Sequence, residues 1–144
     1  MFDAIARFFS NPGDTPMADN DPRLAVAVLL VHLAAVDGKV DETEKLAVRH
    51  ALMAHYGLEE EAVRRLVREA RQRDADAVDF YHFTSALAHL EESQRIEIVK
   101  MMWQVVFADK QNHELEDNMV WRIAELIGVS ARQRTILRNQ MAKR

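Results

Sequence analysis

The sequence has no cysteine among its 144 residues, and only four glycines and three prolines. Without cysteine the chain can form neither a disulfide bond nor a thiolate metal site. Glycine and proline interrupt helices and supply tight turns, so their scarcity implies few turns. These absences favour a fold of long, uninterrupted helices.

Several other features are also missing. No apolar run reaches the roughly 18 residues of a membrane-spanning helix, and the first residues lack the basic and apolar regions of a signal peptide. The formal net charge of −4 provides no basic surplus for nucleic acid. A glycine-rich phosphate loop, a G-x-S-x-G elbow and an H-E-x-x-H zinc motif are all absent. We therefore expect a cytoplasmic, non-enzymatic protein that neither inserts stably into a membrane nor binds nucleic acid.

The composition, 49% apolar and 29% charged, is that of one globular domain. Residues 1–20 comprise an N-terminal amphipathic stretch at 2–9 and a linker rich in Pro, Gly, Asp and Asn. That stretch either contacts a membrane surface or partner, or packs back on the domain. Residues 21–144 are expected to form the all-helical domain.

Apolar spacing predicts an all-α fold of seven to eight helices. Besides 2–9, they are expected at about 22–36, 42–56, from about 58 onward, 77–90, 94–107, 115–127 and 131–143. Asp21 and Pro22 are typical of a helix start, and Ser93 is expected to cap the helix at 94–107. Leu46 and Ile136 are expected to face the core. The helix at 22–36 is apolar nearly all round and should therefore be central.

Two other features have alternative interpretations. His32 lies in the apolar helix, and one hydrogen bond in or near the core explains it better than metal ligation. The helix beginning near residue 58 carries a group of arginines, which either contact phosphate or an acidic partner, or form a solvated face paired with glutamates at i,i+4 spacing. We favour the solvated face. The arginines are Arg64, Arg65, Arg68, Arg71 and Arg73.

Two acidic turns organise the chain, AAVDGKVDETE at 34–44 and FADKQNHELED at 107–117. Asp37 and Glu44 are seven residues apart, as are Asp109 and Glu116. Aligning residues 24–56 with 96–128 at an offset of 72 pairs these acids, and a further shift of one residue pairs the two glycines that close the following helices. The sequence thus predicts duplicated helical hairpins with pseudo-two-fold symmetry.

The acidic turns are candidate sites for a divalent metal ion. Hard cations take several oxygen ligands, and a histidine would favour a transition metal. The candidate ligands are Asp37, Asp41 and Glu44 in the first turn, and Asp109, His113 and Glu116 in the second. The alternative is purely structural, because Asp41 and Glu44 have the spacing of a capping box.

The pattern A-x-x-D-G-x-V-D-x-x-E, followed about 72 residues later by a second acidic turn and RIAELIG-V-S, resembles the TerB-like proteins. These include the tellurite-resistance B family and the N-terminal domain of membrane-anchored DnaJ-like cochaperones. The resemblance covers roughly residues 22–142. It implies an all-helical, non-enzymatic stress-response protein whose acidic turns bind a divalent metal. The alternative function is a metal-independent protein-interaction module, with a protein partner or a homo-oligomer.

Overall fold

The computed structural model describes residues 21–36, 38, 42–76, 81–108 and 114–142. Within these ranges the chain forms seven helices and no strand, which confirms the predicted all-α fold. The helices are α1 (Pro22–Ala34), α2 (Glu42–Tyr56), α3 (Glu60–Asp76), α4 (Tyr81–Ala88), α5 (Glu92–Val106), α6 (Glu114–Leu126) and α7 (Ala131–Ala142). The helix expected at residues 2–9 lies outside the described residues.

Helix α1 is the centre of the core, as its apolar composition predicts. Residues 24–30 have no exposed surface, and α1 packs against α2, α3, α4, α5 and α6. The helix begins where expected, because the Asp21 carboxylate accepts a hydrogen bond of 2.9 Å from the backbone N–H of Arg23 and Pro22 occupies the first turn. No helix in the described ranges has both the length and the apolarity to cross a bilayer.

Helix α5 is the second central element and packs against α1, α2, α6 and α7. Its inward side chains include Ile98, Met102 and Trp103, all buried. Arg138 of α7 forms two hydrogen bonds of 3.1 Å with the carboxylate of Asp117 of α6, and its guanidinium lies 5.7 Å from the ring centroid of Trp103. This arginine therefore joins the last three helices.

Helices α2 and α6 both end at a glycine in the left-handed region. The φ angle is +62° at Gly57 and +87° at Gly128. After each glycine, the next backbone N–H donates to the carbonyl five residues earlier, at 3.2 Å and 2.9 Å respectively. This is the Schellman arrangement, which satisfies carbonyls that the helix end would leave unpaired.

Three details of the sequence analysis were wrong. The N-cap of α5 is Glu91 rather than Ser93, and the backbone N–H of Glu91 donates to Gln94 Oε1 at 3.1 Å. Leu46 and Ile136, expected to face the core, are exposed. Each lies outside the stripe with which its helix packs against its neighbours.

The buried positions of α2 recur in α6 at the same offset of 72 residues. They are Glu44, Val48, Ala51 and Leu52 in α2, and Glu116, Val120, Ile123 and Ala124 in α6. The two helices therefore bury the same face. This agreement supports the alignment, while the duplication itself stays a prediction.

Candidate functional site

Two carboxylates are buried at the starts of α2 and α6. Glu44 is 2% exposed and Glu116 is 3% exposed, and Oε2 of each is enclosed. Both lie in the first turn of their helix, where the positive end of the helix dipole favours a negative charge. Within the described ranges they are the only buried acidic side chains. An ionised carboxylate inside a protein requires hydrogen bonds or a cation to offset the lost hydration.

The helices that carry the two buried carboxylates share two neighbours in the fold. Helix α2, which carries Glu44, packs against both α1 and α5, and so does helix α6, which carries Glu116. The two acids thus begin helices that flank the same central pair. This placement agrees with their equivalence in the sequence alignment.

The other four candidate ligands, Asp37, Asp41, Asp109 and His113, lie outside the described residues. Among the residues whose placement is described, no three His, Asp or Glu side chains are grouped so as to hold a metal ion. The full set of five carboxylates and one imidazole has the donor chemistry of a divalent-cation site. Metal binding and the capping alternative therefore both stay predictions.

Comparison with known protein families decides the class of the chain. The family model described as tellurite resistance protein TerB matches residues 23–139, which is most of the sequence. The chain belongs to the TerB family. At the family level it is a tellurite-resistance-like domain, and the resemblance inferred from the acidic turns is confirmed. No curated protein and no solved structure matches the chain.

His32 of this TerB-family domain makes the kind of contact expected of a histidine at the edge of the core. Its Nδ1 lies 3.0 Å from Oδ1 of Asp74 on α3, and both side chains are partly buried. The contact joins α1 to α3 across 42 positions of sequence. A structural role therefore accounts for this residue.

The arginine-rich helix, α3, is only partly the solvated, paired face that its spacing indicates. Arg64 pairs with Glu60 at 2.8 Å, and Arg65 lies 3.7 Å from Glu61, in each case at i,i+4 spacing. Arg68 and Arg71 have no such pair within the described residues, and together with Arg64 they line a cavity beside α1 and α2. The sequence could not show which arginines line this cavity, because all of them occupy the polar side of the helix.

Proposed function

We propose that this TerB-family domain is a non-catalytic module that binds a divalent cation at its two acidic turns, in a stress response related to tellurite resistance. The observation that carries the proposal is the burial of Glu44 and Glu116 at equivalent positions. Surface capping residues normally remain hydrated. Two carboxylates that are desolvated at matching helix starts instead suit neutralisation by a cation.

The proposed ligands follow the duplicated pattern. Asp37, Asp41 and Glu44 would hold a cation at the first turn, and Asp109, His113 and Glu116 would do so at the second. A bound cation would supply positive charge at each helix start and fix the turn to the helix that follows it. Stability would then depend on the cation, because an ion that binds only the folded state shifts the unfolding equilibrium.

The test combines calorimetry with thermal unfolding. The full chain, stripped with EDTA, is titrated separately with Ca²⁺, Mg²⁺, Mn²⁺ and Zn²⁺. We expect heat of binding and a raised Tm with at least one ion, and loss of both when Asp37→Ala is combined with Asp109→Ala. Glu44→Gln should weaken binding, whereas Glu42→Gln is the matched control. Glu42 lies in the same helical turn, but its side chain is 79% exposed.

Two results would contradict the proposal. One is the absence of binding for all four ions. The other is equal cation-induced stabilisation in the parent chain and in the variant with both aspartates replaced. If Glu44→Gln lowers stability equally with and without cation, the buried acid has only a structural role.

A second candidate function is metal-independent protein interaction, including self-association. The observation that favours it is the exposure of Leu115 (56%) and Leu126 (50%) on α6. They are eleven positions apart, about three helical turns, so the two side chains lie on the same face. Light scattering of the EDTA-treated chain at several concentrations distinguishes the candidates, since only self-association raises the mass without cation.

A further inference from the structure

A cavity of about 650 Å³ lies between α1, α2 and α3. We call it the basic groove. Its apolar lining includes Ala34 and Ala35 from the end of α1, Val48 from α2 and Val67 from α3. The volume lies within the range of small-molecule sites, roughly 300–1,000 Å³, and the apolar lining resembles that of such sites.

The polar lining of the basic groove is predominantly cationic. Helix α2 contributes Lys45 and Arg49, and α3 contributes Arg64, Arg68 and Arg71. The α3 residues are spaced i, i+4 and i+7, so they form one stripe along the helix. Five basic side chains therefore line one concave surface of a chain whose formal net charge is −4.

Two acids line the groove in the described part of the chain, and each already has a partner. Glu42 accepts a hydrogen bond of 3.2 Å from Lys45 Nζ, within α2. Asp74 lies 3.0 Å from Nδ1 of His32. Neither acid forms an ion pair with an arginine of the groove.

Three arginines remain after the ion pairs are assigned. Arg64 pairs with Glu60, which lies outside the lining of the groove. Arg49, Arg68 and Arg71 have no ion pair with any carboxylate in the described part of the chain. Guanidinium groups are planar donors that match the oxygens of a phosphate group, and several of them suit a dianion.

We propose that the basic groove binds a small organic phosphate. The phosphate contacts Arg49, Arg68 and Arg71, and the apolar part of the molecule lies on the side chains of α1 and its neighbours. A bare oxyanion would satisfy the arginines but leave the apolar lining uncovered. The groove includes Ala34, Ala35 and Glu42 of the first acidic turn, but the buried acid Glu44 does not line it. Because phosphate binding is tested in EDTA, its outcome does not depend on the proposed cation.

The ligand class is tested with 2-naphthyl phosphate, which combines a dianionic phosphate with an apolar body. Inorganic phosphate and 2-naphthol are the matched controls, since each has only one of the two parts. Binding to the full chain is followed by NMR chemical shifts and calorimetry in EDTA, which excludes any cation effect. We expect 2-naphthyl phosphate to bind at least roughly tenfold more tightly than either control.

Variants locate the site. Arg68→Gln combined with Arg71→Gln should weaken binding of 2-naphthyl phosphate by roughly tenfold or more, because two charge-assisted contacts are removed. Arg65→Gln is the control, since Arg65 is on the same helix but outside the groove lining. Urea unfolding of each variant establishes that the fold is retained. Arg49→Gln, on α2, provides an independent variant should the α3 double variant fail to fold.

Three outcomes would overturn the proposal. The first is equal affinity for inorganic phosphate and 2-naphthyl phosphate. The second is an equal loss of affinity for 2-naphthyl phosphate in Arg65→Gln and in the double variant. The third is binding of an acidic peptide such as hexaglutamate without binding of 2-naphthyl phosphate. Vesicles with and without phosphatidic acid identify the source of the phosphate. Vesicle binding that is lost in the double variant assigns a lipid headgroup, whereas binding of the soluble probe alone assigns a soluble phosphate ester.

Discussion

Replacing Gly128 with alanine should destabilise the fold more than replacing Gly57 with alanine. Both glycines have positive φ, which costs an L-residue about 1–2 kcal/mol. A Cβ atom at position 57 would meet no heavy atom within 4 Å, whereas at position 128 it would lie 2.6 Å from Nη1 of Arg95. Backbone strain is therefore the whole expected cost at 57 and only part of it at 128.

The additional cost at position 128 comes from Arg95. Its Nη1 donates hydrogen bonds to the carbonyl oxygens of Ile127 at 3.2 Å and Gly128 at 3.1 Å. The guanidinium can move away from a new Cβ atom, but the movement disrupts these bonds. Because the contacts are partly exposed, we expect about 1 kcal/mol beyond the backbone strain, below the range for buried hydrogen bonds to charged groups.

Urea unfolding followed by far-UV circular dichroism measures the free energy of unfolding for each variant. The decisive comparison is Gly128→Ala in an Arg95→Ala background, where the clash between the new Cβ atom and Arg95 Nη1 is absent. The loss in free energy of unfolding should then fall to that of Gly57→Ala. A double-mutant cycle with no coupling between positions 95 and 128 would refute the reasoning. So would an equal cost for the two glycine replacements in the parent chain.

Two further predictions concern Arg138 and Tyr56. Arg138→Lys should lower the free energy of unfolding by about 1 kcal/mol, because lysine cannot make both hydrogen bonds to Asp117 or stack on the rings of Trp103 and Phe107. The control is Arg132→Lys at an exposed position. An equal effect of the two replacements would contradict the role assigned to Arg138. Burial, with the nearby Asp21 carboxylate, raises the pKa of Tyr56 from 10.0 to about 12. Below pH 10 the Tyr56 hydroxyl is protonated in both the folded and the unfolded chain, so it should not affect stability. Between pH 10 and 12 the hydroxyl ionises in the unfolded chain first, and the free energy of unfolding should therefore fall. Tyr56→Phe should lessen that fall and remove the high-pH step in tyrosinate absorbance; an unchanged titration would contradict the pKa shift.

The sequence predicted best where local chemistry determines the structure. Asp21 with Pro22, Gly57 and Gly128 each mark a helix end through contacts within a few residues. The central position of α1 followed from a helix that is apolar nearly all round. Such a segment can hardly occupy the surface of a folded domain.

Helix α2 shows where the pattern was ambiguous. Leu46 was expected inside, and Glu44 was expected as a cap or metal ligand. At about 100° per residue, Leu46 lies about 200° around the helix from both Glu44 and Val48, so these residues cannot share one face. The packing of α2 against α1 and α5 selects the face of Val48, and Glu44 is buried as a consequence.

Contacts between distant residues could not be predicted from a single sequence. Arg95 reaches carbonyl groups at the end of α6 across 32 and 33 positions of sequence. The basic groove likewise requires α2 and α3 to lie on either side of the end of α1. Spacing alone placed Arg68 and Arg71 on a polar face, and only the packing of neighbouring helices makes that face concave.

The two proposed sites differ in how closely each is linked to the stability of the fold. Glu44 and Glu116 are buried within the packed face of their helices, so replacing either changes stability as well as any cation binding. Arg68 and Arg71 of the groove are exposed, whereas its apolar lining includes residues of the core such as Ala34, Val48 and Val67. Replacing Arg68 and Arg71 should therefore alter ligand binding while the cavity remains. For this reason loss of binding in the groove variants can be assigned to the site itself, whereas the acidic turns require cation-dependent stability to be measured alongside binding.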